Sequence, residues 1–107
     1  MKTLAILVAS LLLAGQASAQ DVKGDASAGA KVAQAYCSQC HDVSGRAKPQ
    51  NPPGNAPAFI VLAQDKDRTA RKMRSYLMLP HGRMDNVIVT GRDADNVVSY
   101  IVSLKHS

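Results

Sequence analysis

The sequence is poor in the large side chains that usually fill the core of a small protein. Its 107 residues include no tryptophan, one phenylalanine and three tyrosines. A chain of this length buries a comparatively small share of its surface, so it needs a well-filled core or another stabilising element. The composition excludes a conventional aromatic core, and we expect another element to make up the difference.

Cysteine is scarce too, and the two cysteines, Cys37 and Cys40, stand in one short segment. With both in one motif, no structural disulfide remains available to join distant parts of the chain. A closed zinc site needs four ligands, and His81 and His106 lie far from the cysteines without paired ligand spacing. A thioredoxin-like dithiol site follows a strand in a βαβ pattern, and no such pattern precedes Cys37. The sequence therefore disfavours zinc binding and dithiol exchange.

No apolar run reaches the roughly 18 residues that a membrane-spanning helix needs. The longest, residues 4–14, has eleven residues and follows the positively charged Lys2. A small-x-small sequence comes next at residues 17–19, as at a secretory cleavage site. We predict that residues 1–19 are a cleaved signal peptide, that residues 20–107 form one domain, and that no membrane anchor is present.

Negative charge is in the minority, and glutamate is absent. The chain has 13 lysines and arginines against 8 aspartates, for a formal net charge of +5. Without Lys2, which lies in the predicted signal peptide, the charge is +4. This mild excess, without interleaved aromatic residues, excludes a nucleic-acid-binding role. Arg68, Arg71 and Lys72 would share one helix face, which is either a solvated face or a docking patch for an acidic partner.

The most informative feature present is segment 37–41, which reads Cys-x-x-Cys-His. This spacing is the attachment signature of a covalently bound c-type haem. In a helical turn, positions i, i+3 and i+4 share a face, so Cys37 and Cys40 can reach two edge substituents of one porphyrin while His41 turns toward the iron. We predict one covalently attached haem c, bound by Cys37, Cys40 and His41. The porphyrin would supply the apolar body that the core lacks.

Helical patterns dominate residues 20–107, and strand-like alternation is absent. A first helix is expected to begin near Asp25 or Ser27 and to carry Tyr36 into the core. Residues 45–57 contain four prolines and two glycines, which predicts an irregular loop. Residues 58–63 then predict one or two helical turns.

Two further helices are expected in the second half of the chain. Asp67 or Thr69 could cap a helix that runs to about Leu79, because the residue before a proline avoids the α region. Thr90 and Asp93 form a capping-box signature ahead of a final helix. Apolar residues follow there at helical spacing, at positions 94, 97, 98, 101 and 104. This stripe is expected to pack on the first helix or on the haem.

The second axial ligand of the iron is expected from the irregular segment 80–90. Met73 lies on the buried stripe of a helix, where methionine ordinarily fills core space, and Met78 has a similar position. Met84 lies in a loop that can deliver its thioether sulfur to the open face of the haem. Met84 is therefore the predicted ligand, and His81 is the main alternative.

Three segments together resemble a small bacterial class I c-type cytochrome. Residues 29–41 are similar to the family's first helix and haem motif, residues 79–86 to the loop that carries the axial methionine, and residues 90–105 to the capped last helix. The resemblance covers nearly all of residues 20–107. It implies an all-α cytochrome c fold, in which several short helices pack around one covalently attached haem.

The resemblance also implies roles for single residues. It implies a six-coordinate iron held by His41 and Met84, and a proline carbonyl that receives the ring N–H of His41. Pro57 resembles that proline, and Pro52 and Pro53 are alternatives. One departure stands out, because aspartate occupies position 85, where many relatives have proline.

An iron with both axial positions filled has no room for a substrate, so we expect an electron carrier rather than an enzyme. The predicted function is single-electron transfer in the periplasm, with redox partner proteins docking near Arg68, Arg71 and Lys72. One alternative is a cytochrome subunit bound to a periplasmic dehydrogenase. Another is a ligand-binding or peroxidase-like haem protein with an open sixth site, for which Asp85 is the only indication.

Overall fold

The protein is described by a computed structural model that covers residues 22–80 and 82–106. These residues form four α-helices and two 3₁₀ turns, and no strand occurs among them. The helices are α1 (Ala26–Tyr36), α2 (Phe59–Gln64), α3 (Ala70–Leu77) and α4 (Gly91–Ser103), and the 3₁₀ turns are Gly82–Met84 and Leu104–His106. The all-α prediction is confirmed. The predicted signal peptide and His81 lie outside the described residues.

Helix α1 begins after Asp25, whose carboxylate accepts a hydrogen bond from the amide of Ala28 at 2.9 Å. Of the two predicted caps, Asp25 is therefore the one used. The helix buries Gly29, but its last residue, Tyr36, is 69% exposed. The expectation that Tyr36 joins the core was wrong, because α4 covers α1 nearer its start.

The crossing of α1 and α4 requires a glycine. A Cβ atom at Gly29 would lie 1.8 Å from the carbonyl oxygen of Asn96 in α4, so any side chain would force the two helices apart. The buried Asn96 side chain also accepts a hydrogen bond from the amide of Asp25 at 2.8 Å. The start of α1 is thus fixed to the middle of α4 by close packing and by a polar contact.

Helix α4 begins after Thr90, as the sequence predicted, but the side-chain hydrogen bond of a capping box is absent there. Gly91 has a φ of 58°, so the chain enters the helix through a left-handed residue. The amide of Ala94 instead reaches the carbonyl oxygen of Thr90 at 3.5 Å. The predicted apolar stripe is confirmed, because all five of its members are buried: Ala94, Val97, Val98, Ile101 and Leu104.

Helix α3 is capped by Thr69, whose hydroxyl accepts a hydrogen bond from the amide of Lys72 at 3.2 Å. The helix ends at Leu77, earlier than the predicted Leu79, because the chain must leave the α region ahead of Pro80. It buries the predicted stripe of Ala70, Met73 and Leu77. An ion pair between Arg74 and Asp95 joins α3 to α4.

Helix α2 contributes a buried aromatic ring, that of Phe59. The amide of Phe59 donates to the carbonyl oxygen of Asp42 at 2.9 Å. Its ring lies between the rings of His41 and Tyr100, with centroid separations of 5.3 and 6.3 Å. The Tyr100 hydroxyl donates to the carbonyl oxygen of Val43, so α4 is also tied to the segment after the Cys-x-x-Cys-His motif.

Alanines and valines make up more than half of the buried apolar residues that the structure describes. The largest side chains with less than 2% exposure are Val97 and Val98. In the part of the chain that the structure describes, no helix has both the length and the apolarity needed to cross a membrane.

Candidate haem site

The Cys-x-x-Cys-His segment forms a tight turn directly after α1. The carbonyl oxygen of Cys37 accepts hydrogen bonds from the amides of Cys40 at 3.2 Å and His41 at 2.9 Å. Cys37 is buried and Cys40 is exposed. The turn brings all three side chains to the wall of one cavity, in agreement with the shared helical face that the spacing predicted.

His41 is buried, with 8% of its surface exposed, and its ring has a defined orientation. The Nδ1 atom lies 2.5 Å from the carbonyl oxygen of Pro57. Because a carbonyl oxygen can only accept, Nδ1 is the donor in this contact, and the contact leaves Nε2 unengaged by Pro57. Among the three candidate prolines, the structure selects Pro57.

The irregular loop folds back onto the Cys-x-x-Cys-His turn. The amide of Ala56 donates to the carbonyl oxygen of Cys40 at 2.8 Å, and that of Gly54 donates to Gln39 at 3.3 Å. A Cβ atom at Gly54 would lie 2.4 Å from the Cys40 sulfur, so only glycine fits this approach. The loop therefore forms part of the site wall.

Asp42 organises this loop, and the sequence reasoning missed it. One carboxylate oxygen accepts hydrogen bonds from the Ser44 hydroxyl at 2.6 Å and the Ser44 amide at 2.9 Å, and the other from the Gln50 amide at 2.7 Å. These bonds, the Ser44 hydroxyl first, lower the pKa of Asp42 below its ordinary value. Aspartate favours turns because its carboxylate can accept the backbone amide two residues later, and this signal could have revealed the role of Asp42.

A cavity of about 590 Å³ opens beside the motif. This volume falls within the range of small-molecule and cofactor sites. Besides the motif and loop residues 54–57, apolar side chains from α2, α3 and α4 contribute to the wall: Phe59, Leu62, Leu77 and Ile101. The site is thus a largely apolar chamber with two thiols and one imidazole on its wall.

The methionines considered as iron ligands are placed differently around this cavity. Met84, in the first 3₁₀ turn, and Met73, on the buried face of α3, both contribute to the wall. Met78 does not belong to the cavity wall, and its sulfur accepts a hydrogen bond from Arg74 at 3.2 Å. The structure therefore brings Met84 and Met73, but not Met78, to the cavity that contains His41.

The three cations predicted to share a helix face are divided between two surfaces. Arg68 and Lys72 border the cavity, whereas Arg71 and Lys72 border an open groove of about 470 Å³ on the outer side of α3. Tyr76 belongs to both surfaces, and the groove also includes Leu79, which is 62% exposed. The basic face thus lies against the cavity mouth.

The environment of Cys37 argues against dithiol exchange. Burial, with a smaller contribution from Cys40, raises the pKa of the Cys37 thiol to about 11. Exchange requires a thiolate, which is scarce at neutral pH for such a thiol. Metal binding by side-chain clusters is a separate question. Within residues 22–80 and 82–106, no cluster of three or more His, Cys, Asp or Glu side chains is placed to hold a metal ion.

Comparison with known proteins agrees with this geometry. The family model for cytochrome c matches residues 26–105, which include the motif, the loop and all four helices. The chain belongs to the cytochrome c family. This cytochrome is similar to cytochrome c-552 from Bradyrhizobium diazoefficiens, with 28% identity over 96 residues that cover 89% of each protein. No solved structure matches the chain at a significant level.

Family membership identifies the cofactor as a covalently attached haem c. The residues of this cytochrome fit that group, because two thiols and an imidazole nitrogen lie on the wall of one cavity. These are the donors that c-type attachment requires, at the spacing it requires. The haem also accounts for the small side chains of the core, since it supplies apolar volume that the chain lacks.

Proposed function

We propose that this cytochrome is a periplasmic single-electron carrier whose haem c is bound through Cys37 and Cys40, with His41 and Met84 as the axial ligands of the iron. The observation that carries the proposal is that the His41 imidazole and the Met84 thioether belong to the wall of the same largely apolar cavity. When bound, haem c supplies a reversible one-electron couple. The chain's own residues hold and tune that couple.

His41 is prepared for coordination by its neighbours. Its Nδ1–H is donated to Pro57, which leaves Nε2 available for the iron and strengthens it as a donor. The Phe59 ring packs against the imidazole with an interplanar angle of 57° and restricts its rotation. The ring therefore needs little reorganisation to serve as a ligand.

Met84 is the better of the two methionine candidates on the cavity wall. Met73 is fixed on the buried stripe of α3, where its side chain fills core space. Met84 lies in a short turn whose ends are held, because its own carbonyl accepts the Val87 amide at 3.0 Å and Leu77 accepts the Val89 amide at 2.9 Å. A loop closed in this way can hold the Met84 thioether at a defined place on the cavity wall.

The surrounding residues favour a comparatively high reduction potential. A methionine sulfur is a poor donor to ferric iron, so a His/Met pair favours the reduced state relative to a His/His pair. The apolar side chains of Phe59, Leu77 and Ile101 act in the same direction, because a dry wall disfavours the extra charge of the oxidised state. Both effects suit a carrier that accepts electrons from a lower-potential donor.

The axial assignment is tested by replacing each methionine in the haem-loaded protein. Met84→Ala should lower the reduction potential and should let the ferrous protein bind carbon monoxide. The control, Met73→Leu, conserves volume and should change neither property. Redox titration and visible spectra measure both effects. An unchanged potential in Met84→Ala, or carbon monoxide binding by Met73→Leu alone, would remove Met84 from the account.

The groove on α3 supports a second candidate function, that of a cytochrome subunit held by a periplasmic dehydrogenase. The groove combines the exposed apolar side chains of Tyr76 and Leu79 with the cations Arg71 and Lys72, and it shares a wall with the haem cavity. An acidic redox partner with a complementary apolar patch fits such a surface. Size-exclusion chromatography of native extracts separates the two functions, because a carrier elutes at its own mass and a subunit elutes with its partner.

A further inference from the structure

The haem cavity has a charged mouth. Among the described residues of its wall, the charged members are Asp67, Arg68, Lys72 and Arg83. All four are exposed, so they lie at the entrance rather than on the apolar floor. They come from two separate parts of the chain, the start of α3 and the 3₁₀ turn that contains Met84.

Two of the cations are held in place by groups just before α3, Arg68 by a carboxylate and Lys72 by a backbone carbonyl. Asp65 accepts the Asp67 amide at 2.9 Å through one oxygen and the Arg68 Nε at 3.0 Å through the other. The Lys72 ammonium donates to the carbonyl oxygen of Asp67 at 3.1 Å. An arginine bound through Nε still has N–H donors on its two terminal nitrogens, and an ammonium has three. Arg68 and Lys72 therefore have donor capacity beyond these contacts.

The mouth has the charge sign that pairs with the carboxylates of the cofactor. Its wall has three cations and Asp67, and Asp65 pairs with Arg68, so the entrance keeps one positive charge in excess. Haem c carries two propionate carboxylates, on the edge of the ring opposite the edge that its thioether bonds occupy. Because Cys37 and Cys40 hold the thioether edge, the carboxylates must meet another part of the wall, and the charged mouth is the polar part that can pair with them.

We propose that Arg68, Lys72 and Arg83 form a carboxylate-binding rim that holds the two haem propionates. The rim orients the ring, and it places positive charge beside two carboxylates that would otherwise lower the reduction potential. It also divides the basic surface by role, since Arg68 and Lys72 serve the cofactor and Arg71 faces the outer groove. The proposal rests on haem attachment and is independent of whether Met84 is the axial ligand.

The rim is tested in the haem-loaded protein with single charge-removing variants. Arg68→Gln and Lys72→Gln should each lower the reduction potential, and Lys72→Arg, which keeps the charge, should restore it to near the original value. The matched controls are Arg92→Gln and Lys31→Gln, which remove the same charges at exposed positions outside the cavity wall. They should shift the potential much less. Retained haem content and helical circular dichroism establish that the variants are folded.

A second readout is direct. Nuclear Overhauser contacts between the side-chain protons of Arg68 or Lys72 and the propionate methylene protons are expected in the reduced wild-type protein. The absence of these contacts, or equal potential shifts in Arg68→Gln and Arg92→Gln, would overturn the rim. Absence of covalent haem from the wild-type protein would overturn both the rim and the proposed function. Failure of the rim tests in a protein that retains its haem would overturn the rim alone, so the two failures are distinguishable.

Discussion

At the scale of single residues, the site depends on polar groups that fix backbone segments rather than on the donors alone. Asp42 shows this most clearly, because it follows His41 directly and its carboxylate gathers the Ser44 and Gln50 amides. Its own carbonyl oxygen receives the Phe59 amide at 2.9 Å. One residue thus connects the segment at His41, the proline-rich loop and α2.

Asp42 should contribute a pH-dependent part of the stability. A carboxylate whose pKa is lowered on folding stabilises the native state above its unfolded-state pKa of about 4, and that contribution is lost as the pH falls through the folded-state pKa. Asp42→Asn should therefore lose stability at neutral pH and should show a weaker loss on acidification than the wild type. Ser44→Ala should show part of the same effect. Denaturant unfolding between pH 2 and pH 7 measures this, and superimposable pH profiles would contradict the role of Asp42.

Residue identities on the site wall could be read from the sequence only where a spacing rule applied. The Cys-x-x-Cys-His string was sufficient to place Cys37, Cys40 and His41 together, and a resemblance pointed to Pro57. Asp42 follows no such rule for haem sites, and its contacts depend on how the proline-rich loop returns to the motif. The separation of Arg68 from Arg71 also required the structure, because a helical wheel does not show where the cavity ends.

At the scale of the elements, the packing of α1 on α4 holds the haem motif in place. The motif begins where α1 ends, so the angle and depth of the α1–α4 crossing set the position of Cys37. Helical spacing predicted both helices and the buried stripe of α4. The predictions failed at the helix ends. The expected side-chain cap at Thr90 and the expected burial of Tyr36 were wrong, because the first depends on the local turn and the second on the extent of the helix contact.

Gly29→Ala should disrupt this crossing. The new Cβ atom would lie 1.8 Å from the Asn96 carbonyl oxygen, and separation of two packed helices costs about 3 kcal/mol of unfolding free energy. The control is Lys31→Ala, at an exposed position of the same helix, which should stay within about 0.5 kcal/mol of the wild type. Denaturant unfolding of the haem-loaded proteins measures both. A Gly29→Ala protein as stable as the control would show that α1 can move away from α4 without cost.

At the scale of the whole molecule, the fold is a set of short helices around a cavity that the cofactor completes. The scarcity of large side chains in the sequence has its counterpart in a core whose fully buried members are alanines and valines. The sequence predicted that a haem cavity exists, but it did not predict which residues form the wall. The wall comes from the motif, the proline-rich loop and three helices that are distant in sequence. The central claim is that this cavity holds a six-coordinate haem c for electron transfer.

That claim is tested most directly by the visible spectrum of the reduced protein, produced with export and haem-attachment machinery, before and after addition of carbon monoxide. The account predicts a c-type spectrum that carbon monoxide leaves unchanged, because His41 and Met84 fill both axial positions. A spectrum that shifts with carbon monoxide would contradict the account and would favour a ligand-binding haem protein with an open sixth site.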